Sequence, residues 1–203
     1  MADITASMVK ELREKTGVGM MDCKKALKEC EGDFDKAVKY LREKGIADAS
    51  KRSGRTTKEG LVFSYIHPGN KIGVLVEVNC ETDFVARTPD FQTFVKDIAM
   101  HIAASNPNHV TRDEVPEEVV NNERELLKAQ AKESGKPDKV IEQMVEGRID
   151  KFYAQICLLE QPFIKDMNVT VEELLKEVIG KIGENIQVRR FCRYQLGEEI
   201  DES

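Results

Sequence analysis

Asp83 and Phe84 stand side by side behind a valine-rich run, in "KIGVLVEVNCETDFVARTPDF" from residue 71 to residue 91. The pair combines a negative charge with a large apolar ring, and a solvated turn has no use for that ring. Two readings are open. In one, Phe84 folds back under the preceding strand while Asp83 caps the next helical turn. In the other, both are presented as a wedge. A ring inserted into a partner's cleft would contribute about 1.5 to 3 kcal/mol of apolar burial, and aromatic anchors are frequent among interface hot spots. The adjacent carboxylate would push aside whatever anion or metal arrangement the cleft held.

A second candidate lies near the N-terminus. Met20 and Met21 are adjacent at a helix start, where successive side chains point about 100 degrees apart, so they cannot both face one core. Either one is buried and the other incidentally exposed, or one of them, beside Arg13 on the preceding helix, offers an adaptable apolar contact to a partner.

Catalytic signatures are lacking in the sequence. "GVGMMDCKK" has two glycines and a lysine but neither the spacing of a phosphate loop nor its following Ser or Thr. There is no GxSxG, no HExxH, and no Cys and His pairing with local support. Cys23, Cys30, Cys80, Cys157 and Cys192 are odd in number and lack CxxC spacing, so free buried thiols are expected rather than disulfides or a zinc site. His67, His101 and His109 are scattered. We therefore expect no catalytic residue, no metal ligand and no cofactor.

The elements that must position these residues follow from pattern. The chain has 203 residues, 40% hydrophobic and 33% charged, which suits a soluble globular protein of one domain, or of a small domain plus a medium one. With 31 Lys and Arg against 37 Asp and Glu, the net charge is -6. That balance favours a protein partner over nucleic acid, whose binding rests on neutralised phosphates. No apolar run long enough to span a bilayer is found, and the N-terminus has no apolar core of a signal peptide. No membrane association and a cytoplasmic location are expected.

Three short helices are predicted in the first fifty residues. Thr5 caps the first and Gly17 stops it; Gly17 and Gly19 turn into the second; Asp33 caps the third, and Gly45 is expected to close it. "ADASKRSGRTTKE" reads as a linker or an exposed helical extension. The boundary falls near Gly54, giving an N-terminal domain over 1–54 and a core domain over 55–203. "HPGN" punctuates a hairpin between two β-rich runs. Helix resumes at Phe91, and two charged helices follow, about Glu117 to Lys132 and Lys139 to Leu158, expected to pack on the sheet. "LLEQPFIKDMN" reads as a connector. Thr170 and Glu173 form a capping-box pattern ahead of another helix. A last strand alternates Ile186, Val188, Arg190, Cys192 and Tyr194 against Gln187, Arg189, Phe191 and Arg193, and completes a three-stranded antiparallel sheet. The fold class is α+β.

Three stretches together, "MVKELREKTGVGMMDCKKAL", "NCETDFVAR" and "KIGENIQVRR", resemble the bacterial translation elongation factor Ts family in order and spacing, across nearly the whole chain. The resemblance implies an N-terminal three-helix module similar to ubiquitin-associated domains, then an α+β core. It implies guanine nucleotide exchange on elongation factor Tu, with no chemistry of the protein's own. Thr82, Asp83, Phe84 and Val85 match the segment associated with displacing the Mg2+ ion that helps hold GDP; Arg13, Met20 and Met21 match the surface that docks on the partner. Only one core unit is present, as in the short members, which work as homodimers. Phe191, Cys192 and Tyr194 are then expected on the dimer face, with an interchain Cys192 disulfide as a minor possibility in a reducing compartment. The competing reading is a ubiquitin-associated-like module on a dimeric scaffold without exchange activity.

Overall fold

A computed structural model describes residues 4–132 and 137–199. Its elements run α1 (Ala6–Thr16), α2 (Met20–Glu29), α3 (Phe34–Arg52), β1 (Glu59–Ile66), β2 (Ile72–Cys80), α4 (Asp83–Ala86), α5 (Pro89–Ser105), α6 (Glu117–Lys132), α7 (Asp138–Ile156), β3 (Pro162–Phe163), β4 (Asp166–Thr170), α8 (Val171–Ile182) and β5 (Ile186–Gln195). The fold is α+β, with a three-stranded antiparallel sheet in the order β1-β2-β5. The chain divides into two compact units: one holds the described residues of 1–62 with 77–95 and 173–188, the other those of 63–76, 96–172 and 189–203.

In the first unit, local chemistry sets the helix ends. The Thr5 hydroxyl accepts from the Met8 N–H at 3.3 Å, and the Asp33 carboxylate accepts from the Lys36 N–H at 3.0 Å; each satisfies a first-turn donor that the helix itself cannot. Gly17 closes α1 at φ +68°. Val9, Leu12, Cys23, Ala26, Leu27, Ala37 and Leu41 form the core of this three-helix cluster.

Gly45 does not end α3, which continues to Arg52. The glycine lies where α3 crosses α8: a Cβ added at Gly180 would sit 2.7 Å from the Gly45 Cα. Two bare backbones meet there, so the glycine serves close approach instead of a left-handed stop. Around the crossing, Arg42 pairs with Glu177. The Lys181 stem lies over Gly17, and its ammonium reaches the Asp90 carboxylate at 2.7 Å.

In strand β2, Val74, Val76, Val78 and Cys80 are buried while Leu75 is exposed, the half-buried alternation that the sequence predicts. The expected alternation of β5 holds only for Ile186 and Val188, both buried; Phe191, Cys192 and Arg193 are all half-buried in succession. The Arg193 guanidinium donates to the Ala103 carbonyl, which draws an odd-numbered side chain inward. Helix α5 begins at Pro89, two residues before the predicted start, because proline suits the first helical position.

In the second unit, α6 and α7 bury Val120, Leu127, Ala131, Ile141, Val145 and Ile149 in a shared seam, so these helices pack on each other and not, as expected, on the sheet. The expected connector is also folded. Strands β3 and β4 pair antiparallel, Pro162 with Thr170 and Phe163 with Asp166. A buried polar group anchors them. The His101 Nδ1 accepts from the Ile164 N–H, which fixes the neutral ring with its proton on Nε2, donating to the Gln161 Oε1 at 2.9 Å. The Gln161 amide donates in turn to the Ser105 and Gln155 carbonyls.

Two tests follow from this packing. Gly180→Ala forces backbone apart and is expected to cost about 1 to 3 kcal/mol, a fall in Tm of about 3–10 °C; Gly147→Ala, where an added Cβ meets nothing within 4 Å, should leave Tm unchanged or raise it. Burial lowers the His101 pKa below its ordinary 6.5, against the opposing Gln161 bond. The unfolded chain therefore binds this proton first, and the stability present above pH 6.5 is lost as pH falls. Thermal melts should show Tm dropping between pH 7 and 5.5, and a flat profile there would contradict the neutral-ring assignment.

Candidate functional site

The segment after β2 is a single helical turn. Thr82, at φ -128° and ψ 151°, is its N-cap, and its hydroxyl accepts from the Val85 N–H at 3.4 Å. Asp83 is not the cap, although its charge sits favourably in the first turn. The Thr88 hydroxyl closes the other end on the Val85 carbonyl at 2.8 Å.

Which residues face outward decides between the two readings of Phe84. Val85 and Ala86 are 6% and 5% exposed, whereas Phe84 is 76% exposed. The ring is not folded beneath its own strand. Asp83 and Arg87, one turn apart, form an exposed ion pair at 2.9 Å. Val85 thus seats the turn, and Asp83 and Phe84 are its presented residues.

Three hydrogen-bonded layers hold this turn. The Cys80 thiol donates to the Thr82 carbonyl at 3.1 Å; burial, then the Glu184 charge, pushes its pKa up to about 11, so it remains a protonated donor. Glu184, in the turn between α8 and β5, accepts from Thr82 twice: the hydroxyl donates to Oε1 at 2.7 Å and the backbone N–H to Oε2 at 3.1 Å. Next to it, the Asn185 N–H donates to the Glu81 carboxylate at 2.6 Å, and the Asn185 side-chain amide donates to the Ser53 and Arg55 carbonyls at 3.2 and 2.8 Å. Asn185 is 5% exposed, and this fork ties the end of α3 to Glu81, the residue that follows β2.

The sequence pattern leaves Glu184 and Asn185 without a role. Their signals are their place in the "KIGENIQVRR" stretch and two polar residues behind Gly183, whose φ of +87° makes a sharp exit from α8.

Met20 and Met21 are 45% and 78% exposed, and Arg13 on α1 is exposed as well. Of the two readings, the one with a buried methionine is therefore not met: Cys23, Ala26 and Leu27 fill the core positions of α2, and its first turn leaves both methionines exposed. Phe191 and Cys192 are half-buried and Tyr194 is 72% exposed. Among the described residues no group of three or more His, Cys, Asp or Glu side chains is placed to hold a metal ion. The geometry at Phe84 offers contact and charge, not covalent chemistry.

Residues 3–198 match the family model described as elongation factor TS. A protein named elongation factor Ts from Alkaliphilus oremlandii is 65% identical over 199 residues, covering 98% of this chain and 92% of its own length. Its namesake from Syntrophomonas wolfei is 63% identical over 198 residues, covering 98% and 92%. The one from Moorella thermoacetica is 60% identical over 200 residues, covering 98% of both. Proteins of this kind are nucleotide exchange factors and not catalysts of a reaction of their own. On this likeness along nearly its full length, the chain belongs to the elongation factor Ts family of translation elongation factors.

Proposed function

We propose that this protein binds elongation factor Tu in its GDP form and promotes GDP release by disturbing the Mg2+ and phosphate site of that GTPase. The observation that carries the reading is the 76% exposure of Phe84 on a turn whose Val85 and Ala86 are buried beneath it. A GTPase holds GDP through backbone N–H groups at the phosphates and a Mg2+ on phosphate oxygens. A factor can release that nucleotide only by binding the empty state better than the loaded one, and GDP weakens the factor by the same ratio. Each tenfold of that ratio corresponds to about 1.4 kcal/mol. Phe84 entering between partner elements, with Asp83 beside it, supplies such a differential term. Arg13, Met20 and Met21 on the ubiquitin-associated-like N-terminal helices supply anchoring common to both states.

The same reading makes the protein a cytoplasmic homodimer with no direct nucleic-acid contact. In the second unit Ile66, Leu75, Tyr194 and Leu196 are 60%, 45%, 72% and 75% exposed, an apolar set whose burial suits a second copy. No helix of the described residues is long and apolar enough to cross a membrane.

Release of fluorescent GDP from elongation factor Tu, with and without the protein, tests the function. Phe84→Ala should slow stimulated release about tenfold or more, from loss of about 1.5 to 3 kcal/mol of wedge contact, with Tm near the parent value; a parent chain without effect on release would leave the non-exchanging scaffold reading in its place. Met21→Ala or Arg13→Ala should raise the concentration needed for half-maximal stimulation while sparing the maximal rate. Unchanged titration curves would remove the N-terminal helices from the contact.

A further inference from the structure

We propose that Glu184 and Asn185 are positioning residues for the Phe84 turn: they fix where the wedge stands relative to the N-terminal helices, and so set the maximal rate of exchange. The inference rests on the exchange reading above and extends it to two residues whose bonds lie within the chain, behind the turn.

A helix of four residues cannot sustain itself, since nucleation is unfavourable and propagation is too short to offset it. α4 therefore depends on its cap. A threonine hydroxyl has one proton and two lone pairs. Glu184 Oε1 takes the proton at 2.7 Å, which leaves a lone pair turned toward the Val85 N–H. The second oxygen of the same carboxylate holds the Thr82 N–H. Such charge-assisted bonds are stronger than neutral ones, and two of them on one residue fix its direction as well as its place. Asn185 extends the hold to the end of α3 through the Ser53 and Arg55 carbonyls, and through its own N–H to Glu81, immediately before Thr82. The wedge turn, the α8–β5 turn and the end of α3 thus share one hydrogen-bonded group.

The geometry separates positioning from contact. Phe84 and Asp83 point outward from α4, while Glu184 engages the backbone and hydroxyl of the cap. Removing the carboxylate leaves the ring in place chemically but frees the turn that aims it. A misaimed wedge lowers the rate within the complex, not the anchoring that precedes it.

Glu184→Ala and Glu184→Gln should divide the two roles. At saturating protein, Glu184→Ala should lower stimulated GDP release about five- to tenfold with the half-saturation concentration unchanged within about twofold. Glu184→Gln keeps an acceptor for the hydroxyl but sets an amide donor against the Thr82 N–H, so its loss should be smaller. Thr82→Ala combined with Glu184→Ala should be no slower than the worse single variant, as expected for two groups of one interaction. Amide hydrogen exchange gives a reading independent of the partner: Val85 and Ala86 should exchange about tenfold faster in Glu184→Ala, with α1 and α2 unaffected. Parent-like release at saturation, or losses that multiply in the double variant, would overturn the positioning role. If the parent chain itself fails to stimulate release, the exchange reading falls, and parent-like amide exchange at Val85 and Ala86 in Glu184→Ala would then overturn the hold as well.

Discussion

The double acceptance by Glu184 of the Thr82 hydroxyl and N–H is the constraint on which the rest of the first unit turns. It lies between a strand end and a helix end that are about a hundred residues apart in sequence, and it orients the hydroxyl that caps α4. Without a satisfied cap the Val85 N–H loses its partner, and without Val85 and Ala86 seated the turn has nothing under it. The exposure of Phe84 is therefore produced from behind. Val85 and Ala86 take the buried positions of the turn, and the ring is left on its outer side.

Regular elements with strong local signals were legible in the residues. The caps at Thr5 and Asp33, the αL stop at Gly17, the hairpin around Pro68 and Gly69, and the valine alternation of β2 each depend on a few adjacent positions. The failures were of another kind. Gly45 reads locally as a helix stop, and only the approach of Gly180 from 135 residues away turns it into a crossing point. The β3–β4 pair is too short for any periodicity; it is held by His101 and Gln161, which no pattern joins. The apolar stripes of α6 and α7 announce a buried face but not the surface that buries it, and each proved to be the other's.

The candidate site divides along the same line. Asp83 and Phe84 stood out because an aromatic ring after a completed strand conflicts with its surroundings, and such local conflict often marks function. Whether the ring faced in or out was not readable, because that depends on Val85 and Ala86 filling the space beneath. Met20 and Met21 were similar: helical geometry forbade burying both on one side, yet nothing in the spacing said that the core would need neither. Glu184 and Asn185 lie within the "KIGENIQVRR" stretch, but nothing in it assigns them a role. Glu184 accepts from the Thr82 hydroxyl and N–H and Asn185 donates to two distant carbonyls, and backbone partners leave no trace in a sequence.

The thiols illustrate how burial decides the behaviour of a reactive group. Cys80 and Cys157 are fully buried, and desolvation pushes both up to about 11. At neutral pH they are small apolar fillers with a weak donor, and the Cys80 proton is held on the Thr82 carbonyl.

Asp83 and Arg87 pair across one turn of α4 on its exposed side. Both side chains are mostly in water, at 63% and 79% exposure, so the attraction between them nearly cancels against hydration and side-chain freedom. A contact of that kind gives way readily. The aspartate carries a companion guanidinium that offsets its charge at the surface and that can be exchanged for water at little cost. The charge pattern beside the ring is therefore adjustable, because Arg87 is a long, exposed side chain one helical turn away that this weak pair directs.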